Sequence, residues 1–101
     1  MATQRSHDEA TIAMLRDAPE FMAEYLRAAL EGLDEEGGDA AFLMALRHVV
    51  EARGGFTVIA ERARLSRESL YRALSPDGNP TLKTMKSVLN ATGFSFASLA
   101  H

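Results

Sequence analysis

Apolar side chains recur at helical spacing along most of the chain, and turn residues fill the gaps between the runs. Phe21, Tyr25, Leu26, Ala29, Leu30 and Leu33 form one stripe. Pro19 suits a first helical turn because its missing N–H has no partner there, and Glu20 suits the positive end of the helix dipole. One amphipathic helix is therefore predicted from Pro19 to about Gly32. The run DEEGGD, Asp34 to Asp39, reads as a loop, with Asp39 placed to cap the next helix. Phe42, Leu43, Leu46, Val49 and Val50 line that helix, and Gly54-Gly55 stops it. Three shorter helices follow at about Thr57 to Arg64, Arg67 to Leu74 and Leu82 to Thr92. Ser66 and Thr81 stand as caps before the last two, and Gly93 is the final stop.

Ahead of Asp17 only Ile12, Met14 and Leu15 carry periodic signal, so a short helix and a flexible arm both fit. No segment alternates long enough for a strand, and Phe94-Ser95-Phe96 is the one short candidate. The pattern predicts an all-α fold, a compact bundle of about five helices. Residues 1–18 form an N-terminal arm and residues 19–101 a single domain.

The segment FTVIAERARLSRESLYR, Phe56 to Arg72, has the spacing of a helix-turn-helix, placed at about residues 56–74. Ile59, Ala63, Leu65 and Leu70 are apolar where two steeply crossing helices meet, and Ala60 is small enough to let them approach. Arg67, Glu68, Tyr71 and Arg72 are then left facing outward. An arginine fork matches guanine O6 and N7, and a carboxylate accepts from the cytosine amine, so Arg67, Glu68 and Arg72 suit base edges in a major groove. Ser66 and the amides behind it suit a phosphate, as do the hydroxyls of Ser69 and Tyr71. A solvated helix face is the plain alternative.

Charge divides the chain. The whole carries −3, but residues 1–51 hold four basic against eleven acidic side chains, net −7, and residues 52–101 hold seven against three, net +4. A basic half behind an acidic one fits two different partners. Cysteine is absent, which removes disulfides, thiolate metal sites and thiol nucleophiles. No apolar run approaches a membrane span, and the N-terminus lacks the apolar stretch of a signal peptide, so a cytoplasmic location is expected. His7, His48 and His101 have no ligand-type neighbour one turn away, and His48 reads as a surface or boundary residue. No serine pairs with histidine and carboxylate at a recognised spacing. Catalysis, metal and cofactor are not expected.

The strings AEYLRAALE (Ala23 to Glu31), ALRHVVEARGG (Ala45 to Gly55) and LSRESLYRALSPDGNPTLKTMKSVLNATG (Leu65 to Gly93) carry a resemblance. Over about residues 19–96 the chain resembles the lambda repressor/Cro-like (Xre-type) helix-turn-helix domain. It resembles more closely the addiction module antidote proteins, DNA-binding antitoxins of the HigA kind. The resemblance implies a protein that neutralises a small ribonuclease-like toxin encoded beside it and represses their shared operon on double-stranded operator DNA. The alternatives are a free-standing Xre-type repressor with no toxin, and a helical interaction module that has lost DNA binding.

One position departs from the family: Arg64 stands where the turn usually has glycine. It is expected to adopt positive φ at a cost of order 1 kcal/mol, and from there it can reach a phosphate. In this family the loop after the recognition helix runs along the DNA backbone. Ser75, Asn79 and Lys83 are thus candidate phosphate contacts, Ser75 and Asn79 being equally suited to shaping the turn SPDGNP, in which Gly78 is free to take positive φ. For a basic toxin, the acidic first half is electrostatically apt, and Tyr25, Leu26 and Leu30 are either its docking face or plain core. A homodimer is expected from the two-fold habit of DNA readers. Phe94, Phe96 and Leu99 either form its interface or close the core.

Overall fold

The computed structural model describes residues 3–100, with side chains from residue 6 onward. Seven α-helices follow one another: α1 (Thr3–Asp17), α2 (Met22–Glu31), α3 (Gly38–Ala52), α4 (Phe56–Ala63), α5 (Arg67–Ala73), α6 (Leu82–Ala91) and α7 (Phe96–Leu99). A 3-10 turn, Pro19–Phe21, joins the first two. Among the described residues there is no strand. The Cα radius of gyration, 12.7 Å, is that of one compact unit of this length.

Helix α3 is the centre. Its Leu46, Val49 and Val50 are wholly buried, and α1, α2 and α4 pack around it. Helix α4 in turn packs against α5 and α6, adding Ile59, Leu70, Val88 and Leu89 to the same core. Helix α7 returns to α2, where the Arg27 Nε donates to the Leu99 carbonyl at 2.8 Å.

The bundle holds about seven helices where the pattern predicted about five. Helix α1 was hard to read because its apolar positions make no regular stripe, although Leu15 is fully buried. Ala18 has non-helical angles (φ −131°, ψ 71°) just before Pro19, so α1 and α2 are separate and the predicted helix begins with the 3-10 turn. The strand candidate at Phe94-Ser95-Phe96 instead leads into α7, which starts at Phe96. Ser95 caps it by accepting from the Ser98 amide at 3.0 Å, and the Ser98 hydroxyl accepts from the Ser95 amide at 3.0 Å.

Two turn assignments change as well. Asp39 does not cap α3: the helix starts at Gly38 behind Gly37, which sits at φ 76°. A Cβ on Gly38 would collide with the Gly32 and Leu33 carbonyls, so the chain turns tightly before it reaches Asp39. Gly78 is not at positive φ. It is needed because a Cβ there would strike the Ala73 carbonyl oxygen. Ser66 and Thr81 do cap α5 and α6, accepting from the amides of Ser69 (3.0 Å) and Thr84 (3.1 Å).

Candidate nucleic-acid interface

Helices α4 and α5 are joined by residues 64–66. Arg64 closes α4 in the left-handed conformation (φ 60°, ψ 42°), the one non-glycine with positive φ among the described residues. Its amide and that of Leu65 return to the α4 carbonyls, Leu65 to Ala60 at 2.9 Å. Ser66 then extends (φ −71°, ψ 156°) and starts α5. Ile59, Ala60, Ala63 and Leu70 are buried between the helices and Leu65 is half-buried, which holds α5 with one face outward.

That face carries Arg67, Glu68, Tyr71 and Arg72, all exposed. Tyr71 is the best fixed of them. Its ring stacks on Phe56 of α4, with centroids 4.1 Å apart and planes 5° from parallel. The Arg67 Nη2 donates to the Tyr71 hydroxyl at 3.4 Å, and the guanidinium carbon lies 5.4 Å from the ring centroid. The Tyr71 hydroxyl, ahead of nearby carboxylates, pushes the Arg67 pKa further up from its ordinary value.

The hydroxyls expected at phosphates are partly engaged. Ser66 Oγ donates to Ser69 Oγ at 2.8 Å while capping the helix, and Ser75 Oγ donates to the Arg72 carbonyl at 2.9 Å. Asn79 and Lys83 are exposed, on the loop after α5 and the first turn of α6. The residues named for DNA therefore fall into two groups: a charged face on α5, and a flank made by Arg64 at one end and Asn79 with Lys83 at the other.

The residues named for a toxin lie elsewhere, on α2, and turn mostly inward. Leu26 is wholly buried, and Tyr25 and Leu30 are half-buried against the core. Their helical spacing serves packing on α3, so Leu26 offers no docking surface. Leu99 is also buried, at 1% exposure, and so closes the core, with Phe94 and Phe96 half-buried beside it.

His48 departs furthest from expectation. It is buried at 4% exposure, its Nδ1 hydrogen-bonded to the Tyr25 hydroxyl at 2.6 Å and its Nε2 to Asp8 Oδ1 at 2.9 Å. This chain ties α1, α2 and α3 together. Its partners stand 23 and 40 residues away, so no local spacing could announce it. Burial first, and the Asp8 carboxylate second, push the Tyr25 hydroxyl pKa up. His7 is exposed on α1 and His101 lies outside the described residues. Among the described residues no His, Asp and Glu cluster could hold a metal ion, and no helix is long and apolar enough to cross a membrane.

Comparison with known proteins adds the relationship. The profile of a family described as "probable addiction module antidote protein" matches residues 7–100. An uncharacterized protein of Haemophilus influenzae is 37% identical over 73 residues, which cover 72% of this chain and 74% of that protein. No solved structure matches the chain. Because the profile takes in every helix from the middle of α1 to α7, the chain belongs to the addiction module antidote family.

Proposed function

We propose that the protein is a non-enzymatic antitoxin of the HigA kind, which binds and neutralises a small partner toxin and represses their operon. Repression works through an Xre-type helix-turn-helix made of α4 and α5, on operator DNA in the cytoplasm. The observation that carries the DNA half is the outward face of α5, where Arg67 is held against a Tyr71 that is itself stacked on Phe56. A pre-oriented guanidinium fork loses little freedom on meeting guanine O6 and N7. Glu68 and Arg72 extend the reading face, and Ser66, Ser69, Arg64, Asn79 and Lys83 hold the phosphates on either side.

Two copies would read a two-fold operator with their recognition helices about 34 Å apart. Family membership supports the antitoxin half. The toxin then docks on surface outside the buried stripe of α2. Two experiments test the reading. A gel shift with the DNA upstream of the gene should give a salt-sensitive, sequence-selective complex, and its absence sinks the repressor half. A pull-down with the product of the adjacent gene should recover a stoichiometric complex; failure to bind it sinks the antitoxin half.

A further inference from the structure

Three arginines converge where α3, α4 and α6 end. Arg53, Arg62 and Arg64, with Ser87, Asn90 and Gly93, line an open cleft of about 820 Å³. Two of the guanidiniums are held in place by the chain. Arg53 Nε donates to the Thr92 carbonyl at 3.0 Å and its guanidinium lies 5.5 Å from the Phe94 ring centroid. Arg62 Nη1 donates to the Ala91 carbonyl at 3.5 Å. Gly93, at φ 99°, leaves room for Arg53, since a Cβ there would come within 3.0 Å of it.

These bonds use one N–H of each fork, and a guanidinium has five. Among the described residues the one arginine paired with a carboxylate is Arg27, with Glu24, so no carboxylate neutralises the cleft. Three guanidiniums around one hollow, two of them held by the chain and none paired with a carboxylate, are suited to a run of carboxylates, which each fork takes in bidentate fashion.

The chain itself carries such a run. Asp34, Glu35 and Glu36 in the tight loop before α3, and Asp39 in the first turn of that helix, are all exposed. They pair with no arginine or lysine among the described residues. The loop cannot reach its own cleft: it lies at the N-terminal end of α3 and Arg53 caps the C-terminal end, about 22 Å away along a helix of 15 residues.

We propose that this cleft receives the Asp34–Asp39 loop of a second copy, so that molecules associate head to tail between an acidic pole and a basic one. The contact shares Arg64 with the phosphate flank assigned above but is carried by Arg53 and Arg62, so failure of the DNA or toxin reading leaves it standing. Sedimentation equilibrium of the full chain tests it. The mass should rise with concentration at low salt and lose that rise at high salt, because exposed charges are screened. Arg62→Glu, and separately Glu35→Arg with Glu36→Arg, should each weaken the salt-sensitive association at least about tenfold through like-charge contact.

Mixing the two reversed proteins should restore it, which an unfolded variant could not do. Arg62→Gln, which removes charge without reversing it, should give a smaller loss. A mass independent of salt, or unchanged in Arg62→Glu, overturns the proposal. So does an Arg62→Glu protein that keeps its mass but loses DNA affinity, which would make the cleft a phosphate site.

Discussion

At the scale of single residues, Arg64 pairs a cost with a use. A side chain at φ 60° gives up of order 1 kcal/mol relative to glycine, yet it places a cation at the entrance to α5. Arg64→Gly is therefore expected to raise stability in urea by about 0.5–1 kcal/mol. The same variant should bind operator DNA more weakly, with a shallower salt slope. A fall in stability would refute the strain argument.

Tyr25 makes a second residue-level prediction. Its pKa in the unfolded chain lies near 10.0 and is raised in the fold, so the folded state holds this proton more tightly. The contribution is whole below pH 10 and is lost as pH rises from there through the folded value. Tyr25→Phe should lower stability at neutral pH, by leaving His48 Nδ1 without its partner, and should flatten the alkaline decline. Urea melts at pH 7 and above pH 10 separate the two effects.

At the scale of elements, legibility followed the length of the interactions. Helices α4, α5 and α6 were readable because their signals are local: Ser66 and Thr81 bond three residues ahead, Gly55 stands before α4 and Gly93 just after α6. The outward face of α5 could be read for the same reason, since four buried apolar positions leave only one face over. Helix α1 could not be read, because Leu15 has its reason in α3 and Asp8 has its reason in His48. The inward turn of Leu26 was equally hidden, as a docking face and a packing face share one spacing.

Burial of α1 and α2 changes what truncation can show. Removing residues 1–33 takes away Leu15, Met22 and Leu26, all at 1% exposure or less. The remainder is then expected to unfold, and to lose DNA and toxin binding together. Leu15→Ala tests the element without deleting it. It should cost about 2–5 kcal/mol in a denaturant melt, the usual range for an emptied leucine site. A cost below 1 kcal/mol would mean that α1 is not part of the core.

At the scale of the whole molecule, charge is unevenly divided. The −7 half holds the loop at one pole of α3, and the +4 half holds both the arginine cleft and the face of α5. On the proposed DNA surface, two variants should behave differently. Arg67→Ala should cost about 1–3 kcal/mol and loosen preference at one base pair. Lys83→Ala should weaken all sequences alike and lower the salt slope by about one. Binding isotherms at several salt concentrations on matched and mismatched operators distinguish them. Equal behaviour of the two would argue against a base-reading role for Arg67.

The tie from Asp8 through His48 to Tyr25 also bears on how the protein is made. During synthesis residue 8 leaves the ribosome 40 residues before its partner at 48, a lag of roughly 2–8 s at ordinary elongation rates. For that interval Leu15 has no core to enter. Helix α1 thus waits for α3 before it is secured, and for those seconds it lies open to any protease within reach.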